Sequence, residues 1–189
     1  MDDLIQLADD LSEDNLPESF RFVAAECGMH AAVSLIVNLP GIPLDIPKAG
    51  LTSIRKLYIQ EHFNGFNALS LAVRLGIDAR EVKRLAKIVE KHPISTDLQM
   101  PNEHTKKIDE LCGRDVAIIV IERFPNKRIY VPTGGLFMLK KRYVEKFFKG
   151  NNSLDLAIKL RVSQQFVRKV ISDYHDSRVV PMDLFRSNG

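Results

Sequence analysis

The chain has 189 residues, 45% of them apolar and 27% charged, with 27 Lys and Arg against 24 Asp and Glu. That is enough apolar chain to bury the core of one or two compact domains. Two cysteines, each followed by glycine, speak against a disulfide scaffold, and the longest apolar run, Ala31 to Pro40, is too short and interrupted to span a bilayer.

Charge is uneven along the chain. Residues 1–20 form an acidic leader holding Asp2, Asp3, Asp9, Asp10, Glu13, Asp14 and Glu18 and no Lys or Arg. Taking these seven from the 24 acids leaves 17 against 27 bases, so the remainder carries +10. A basic body of that kind is consistent with a nucleic-acid binder. The acidic start also argues against a secretory signal, and the composition suits a cytoplasmic protein. Leu4, Ile5, Ala8 and Leu11 share one helical face. They predict a short helix lying on the core or fraying from it, with partner docking or competition for the basic face as other roles.

From Pro17 to Leu39 the pattern predicts an apolar helix interrupted near Gly28. A short strand at about Ile42–Ile46 ends at Pro47, which cannot donate to a ladder. Lys48-Ala49-Gly50 reads as a linker, either a plain turn or a place where DNA approaches the backbone. A helix from Leu51 to Phe63 follows, with Arg55 and Lys56 on its outward side. Asn67 can cap a short amphipathic helix, Gly76 marks a turn, and a second helix runs from about Asp78 to Ile88.

Residues 92–101 carry two prolines and read as a linker. Beyond it the same order returns: a helix from roughly Asn102 to Phe124, a strand at Lys127–Val131, a linker Thr133-Gly134-Gly135, and a helix from Leu136 to Phe148 bearing Lys140, Lys141 and Arg142. Val116 to Ile121 is β-branched and favours strand in isolation, but its counterpart Ala31 to Ile36 alternates poorly, which argues for helix. A tail from 175 to 189 closes the chain.

The returning order reflects a constant offset. Shifting the chain by 85 residues places Cys27-Gly28 on Cys112-Gly113, Ile46-Pro47 on Val131-Pro132, Phe63-Asn64-Gly65 on Phe148-Lys149-Gly150, and Leu71-Ala72 on Leu156-Ala157, without a gap. Two copies of one module, residues 21–91 and 102–174, are the expected organisation. Two are too few for a solenoid and suit a chain that imitates a homodimer.

Each module ends in a helix-turn-helix register, at 67–88 and 152–173. Leu71, Ala72, Leu75, Ile77, Val82 and Leu85 anchor the first; Leu156, Ala157, Leu160, Val162, Val167 and Val170 anchor the second. The pattern leaves Ala79, Arg80, Lys83, Arg84 and Lys87 outward on one second helix, and Ser163, Gln164, Gln165, Arg168 and Lys169 on the other. A basic outer face suits entry into a major groove, and Gln and Arg pair bidentately with adenine and guanine edges. An ordinary αα-hairpin with a solvated face has the same pattern; its double occurrence in register favours DNA binding. Lys48 and Thr133, at the linkers, join the candidate contacts. Two features depart from uniformity. Arg161 stands where Gly76 stood, so its turn must avoid or tolerate positive φ, and Asp78 and Glu81 would meet phosphates unfavourably.

With these residues the chain resembles the Mor/C family of phage transcription activators. The matching stretches are Ile42 to Gly50 with Phe63-Asn64-Gly65-Phe66-Asn67, and Arg128 to Gly135 with Phe148-Lys149-Gly150-Asn151-Asn152. In that family two protomers intertwine through helices and a two-stranded antiparallel ribbon, and each presents one helix-turn-helix. The resemblance also places helix at Val116–Ile121. It implies a mainly α chain in which two helix-turn-helix modules join through a helical pseudo-dimer core with a small β-ribbon. The implied partners are double-stranded DNA and, for activation, RNA polymerase, in a bacterium, phage or mobile element. A monomer acting as an internal pseudo-dimer, nucleoid-associated when bound, is the simplest form, with its two reading helices roughly 34 Å apart.

His30, His62, His92, His104 and His175 lack metal-ligand spacing, and there is no phosphate-binding glycine loop or nucleophile elbow. No enzyme, metal or cofactor is expected. The rival expectation is an interaction protein that has lost DNA binding and pairs with a related regulator, which Asp78, Glu81 and the acidic leader keep open.

Overall fold

The computed structural model describes residues 2–93 and 100–178. Most of the expected linker and the tail beyond Arg178 lie outside the described residues. The protein is mainly helical with a small two-stranded antiparallel sheet. After α1 (Asp2–Ile5), α2 (Leu7–Asp10) and two 3₁₀ turns come α3 (Arg21–Cys27), α4 (Met29–Asn38), β1 (Pro43–Ile46), α5 (Lys48–His62), α6 (Ala68–Leu75) and α7 (Ala79–Lys91). Then follow α8 (Glu103–Cys112), α9 (Arg114–Arg123), β2 (Lys127–Tyr130), α10 (Gly135–Phe147), α11 (Ser153–Leu160) and α12 (Gln164–Arg178). The β-branched run of α9 is helical, and Ala117, Val120 and Ile121 on it are buried.

The chain divides into two compact units, one drawing on both ends of the sequence and the other on its continuous middle. One comprises 1–41 with 132–189, hence α1 to α4 and α10 to α12; the other is 42–131, holding β1, α5 to α9 and β2. Each unit therefore combines a helix pair from one half of the sequence with the long helix and hairpin of the other half.

In the second unit β1 and β2 pair antiparallel. Leu44 faces Ile129, the residue 85 positions later (129 − 44), so the sheet's register centres on the sequence offset. Both side chains are buried. Beside them Asp45 accepts two hydrogen bonds from the Arg128 guanidinium, at 2.5 and 3.0 Å, which hold its carboxyl below the ordinary value. The Asp45 amide donates to His104 Nδ1 at 2.9 Å and its carbonyl accepts from Asn102 Nδ2 at 2.8 Å, tying the strand to the start of α8.

Gly50 and Gly135 show why each long helix packs where it does. Both lie in the first turn of their helix and both are buried. A Cβ on Gly50 would stand 2.9 Å from Ile121 Cγ2 and 2.9 Å from Pro101 Cγ; one on Gly135 would stand 2.9 Å from Ile36 Cγ2 and 3.1 Å from Pro132 Cγ. Real Cβ atoms do not come that close, so glycine lets each helix approach the isoleucine of the opposite half. The reading of Lys48-Ala49-Gly50 as a linker is corrected here, while Lys48 itself is exposed. Those residues begin α5, and Gly50 is spent on internal packing.

The acidic leader packs into the first unit. Leu4, Leu7, Ala8, Leu11 and Leu16 are buried, and full burial of a leucine contributes about 1.5–3 kcal/mol. Polar contacts fix its position. The buried Tyr143 donates its hydroxyl to Asp10 Oδ2 at 2.7 Å, Lys159 Nζ donates to the same oxygen at 3.0 Å, and Lys146 Nζ donates to the Asp10 carbonyl at 2.7 Å. The Tyr143 hydrogen bond, followed by that from Lys159, lowers the Asp10 pKa.

Candidate nucleic-acid interface

The two hairpins, α6–α7 and α11–α12, have the same backbone plan. The motif before each of them acts as a clamp. Asn67 sits at the N-terminal boundary of α6, but its side chain does not cap that helix as its position suggests. Its Oδ1 accepts from the Asn64 amide at 3.1 Å, and its Nδ2 donates back to the His62 carbonyl at 2.8 Å. Asn152 repeats this with the Lys149 amide at 2.8 Å and the Phe147 carbonyl at 2.9 Å. Each asparagine thus joins the end of the long helix to the start of the hairpin and satisfies a carbonyl that a helix end leaves open.

The turns match as well. Gly76 is left-handed at φ 58° and ψ 41°, and Arg161 adopts the same conformation at φ 51° and ψ 52°. Glycine does so without steric penalty; for an L side chain the left-handed region costs roughly 1–2 kcal/mol. The turn tolerates positive φ in the second hairpin because the same backbone bonds close it. The Ile77 amide donates to Ala72 at 3.1 Å and the Val162 amide to Ala157 at 2.9 Å.

Leu71, Ala72, Val82 and Leu85 are buried in one hairpin and Leu156, Ala157, Leu160, Val167 and Val170 in the other. Leu75, Ile77 and Ala79 pack partly buried against the first cluster.

The sequence candidates on α7 separate by exposure. Arg80, Lys83, Arg84 and Lys87 are exposed, whereas Ala79 is half-buried. Asp78 caps the helix, its Oδ1 accepting from the Arg80 amide at 2.6 Å. Glu81 takes both guanidinium bonds of Arg84, at 2.7 and 2.6 Å. The Arg84 bonds, and then the charges of Arg84 and Arg55, hold the Glu81 carboxyl below its ordinary value. The two acids that seemed to oppose phosphate therefore have internal roles, and the pair masks part of Arg84's charge.

On α12, Ser163, Gln165, Arg168 and Lys169 are exposed. Ser163 Oγ accepts from the Phe166 amide at 3.1 Å, a capping contact. Gln164 is half-buried, and its Nε2 donates to Ser153 Oγ at 2.8 Å, bracing the two helices. Phe166, where the other hairpin has Glu81, packs edge-on against Phe137 with centroids 5.7 Å apart.

Outside the hairpins, Thr133 is exposed ahead of α10, and its Oγ1 would stand 3.0 Å from a Cβ on Gly41. The long-helix cations are less exposed than expected: Arg55, Lys56, Lys140 and Lys141 are half-buried, and only Arg142 of that group is exposed. Burial, with the nearby Arg161 charge, pushes the Lys140 ammonium down. Sequence reading also missed an outward apolar pair on the first helix of each hairpin. Leu69 and Val73, and their equivalents Leu154 and Ile158, are all more than half exposed, and Phe66 is 96% exposed.

Among the described residues no group of three His, Cys, Asp or Glu could hold a metal ion, and no helix is long and apolar enough to cross a membrane. The architecture presents two helical hairpins, α6–α7 and α11–α12, of like backbone plan. Residues 94–180 match the family model of the Mor transcription activator family, a stretch that takes in α8 to α12 and the second hairpin. No curated protein and no solved structure matches the chain.

Proposed function

We propose that the chain is a sequence-specific, double-stranded DNA-binding activator of transcription that presents two helix-turn-helix readers from one duplicated polypeptide. The observation that carries this reading is the outer face of α12. It lies within the stretch similar to the Mor transcription activators and exposes Ser163, Gln165, Arg168 and Lys169 on a capped helix braced by the hairpin core. Arg and Gln supply base-edge recognition, and Lys169 supplies phosphate attraction. Arg80, Lys83 and Lys87 give α7 a basic face, with Arg84 held back by Glu81.

Duplication is supported by the recurrence at an 85-residue offset of whole helices. Met29–Asn38 corresponds to Arg114–Arg123, and Ala68–Leu75 to Ser153–Leu160. Because α7 and α12 differ in their outward residues, the target is expected to have two unlike half-sites. Thr133 is a candidate backbone contact, and RNA polymerase is the partner through which activation would act. One observation favours the rival reading of an interaction protein: the outward apolar pairs on α6 and α11 are the kind of surface a protein partner covers.

In-vitro selection of random duplex DNA by the full chain at two salt concentrations separates the readings. An enriched motif, with retention that falls steeply as salt rises, is expected. No enrichment, together with salt-independent retention, would overturn the DNA reading and favour the protein partner.

A further inference from the structure

One flank of α7 diverges from its equivalent on α12, and a cavity opens along it. In the second unit a cavity of about 670 Å³ is floored by Ile59 and Phe63 from the end of α5 and by Ala86 and Val89 of α7, with Lys83 and Lys87 also lining it. At the 85-residue offset the other half has Ile171 in place of Ala86 and Tyr174 in place of Val89, both half-buried, and Ser172 in place of Lys87. The first half thus combines smaller side chains on the floor with a second ammonium. The volume lies in the range of small-molecule sites, which pair an apolar lining with a few placed polar groups.

We infer that this cavity binds a small amphipathic monoanion, an apolar body carrying one carboxylate-type head. The half-buried Phe63 and Ala86, over the buried Ile59 and Val89, take the body out of water, and Lys83 and Lys87, one helical turn apart, meet the head. Glu90 also lines the cavity and disfavours a second negative group, which selects a singly charged ligand over a polyanion. Lys83 and Lys87 are also proposed phosphate contacts, so occupancy would draw on charges that DNA uses. The test is therefore run without DNA, and its outcome does not depend on that reading.

Decanoate, kept below its micelle concentration, is titrated into the full chain by calorimetry, with 1-decanol as the uncharged comparison. Saturable 1:1 binding of decanoate is expected. The exposed pair Lys83→Ala with Lys87→Ala should weaken decanoate by roughly tenfold while leaving decanol unchanged. Ala86→Ile with Val89→Tyr, which installs the residues of the other half, should abolish binding of both. Three results would overturn the inference: no saturable binding by the native chain, equal decanoate affinity without the lysines, or undiminished binding in a folded Ala86→Ile, Val89→Tyr chain.

Discussion

The two hairpins keep one backbone and diverge at their surfaces. The clamp asparagines Asn67 and Asn152 make equivalent bonds, and both turns enter the left-handed region even though one has glycine and the other arginine. Their second helices, α7 and α12, then part. Asp78 caps α7 where Ser163 caps α12, Glu81 neutralises Arg84 where Phe166 packs on Phe137, and Ala86 and Val89 leave a cavity where the other half has Ile171 and Tyr174. Backbone geometry in a helical hairpin is constrained by close packing of its two helices, so the two hairpins share it. Outward side chains carry little folding energy and are free to take on different recognition tasks.

The largest effect that could break this comparison concerns which helix dominates. Arg168→Ala combined with Gln165→Ala should lower affinity for a selected site by about 100-fold, since each bidentate base contact is worth about 1–3 kcal/mol. The paired change Arg80→Ala with Lys83→Ala should cost less, as read by fluorescence anisotropy at fixed salt. Equal losses would make the halves equivalent readers. Next come the buried glycines: Gly50→Ala and Gly135→Ala should each destabilise by about 1–3 kcal/mol in denaturant titration, because the added methyl overpacks against an isoleucine and a proline ring. Similar costs would show that the exchange of helix pairs is tight in both units.

The turns allow a reciprocal test of smaller size. Gly76→Ala should destabilise by about 1 kcal/mol, and Arg161→Gly should stabilise by a comparable amount, since only one of them relieves a left-handed side chain. A loss on Arg161→Gly would mean that the arginine makes contacts worth more than its strain. The smallest effect belongs to the leader. Tyr143→Phe removes the hydroxyl that holds Asp10, and because Asp10 is partly exposed the cost should be at most about 1 kcal/mol. Its pH dependence has a definite sign. The Asp10 carboxyl is lowered in the folded state, so its contribution is complete above the ordinary aspartate range and disappears as pH falls through the lowered value. Thermal melts of the native and Tyr143→Phe chains should stay apart above the ordinary aspartate range of about 4 and converge only once the pH has fallen below the lowered Asp10 value.

Much of the local structure was legible from residue order. Hairpin anchors follow helical spacing, prolines stop both strands, and the β-branched run of α9 is helical as its counterpart argued. The candidate site was legible in part. Arg80, Lys83, Lys87, Gln165, Arg168 and Lys169 are exposed as their spacing predicts, but Gln164 braces the hairpin and Arg84 is shared with Glu81. Asn67 misled because a cap residue and a backward clamp have the same position in sequence. The leader's place on the core followed from its apolar face, and Leu4, Ala8 and Leu11 are buried there, but its tie to Tyr143 was not readable, since Tyr143 and Asp10 stand 133 residues apart.

The sequence by itself therefore determined most of the helices, the hairpin turns and the repeating order, but not every boundary: α5 begins at Lys48, and the helix expected from Asn102 to Phe124 breaks at Gly113. Tertiary structure alone decided that each helix pair joins the hairpin of the opposite half, that Gly50 and Gly135 serve packing rather than a linker, and that smaller side chains on α7 leave a cavity. Those outcomes depend on steric fit between segments far apart in the chain, and close packing leaves no local pattern from which such a fit can be read.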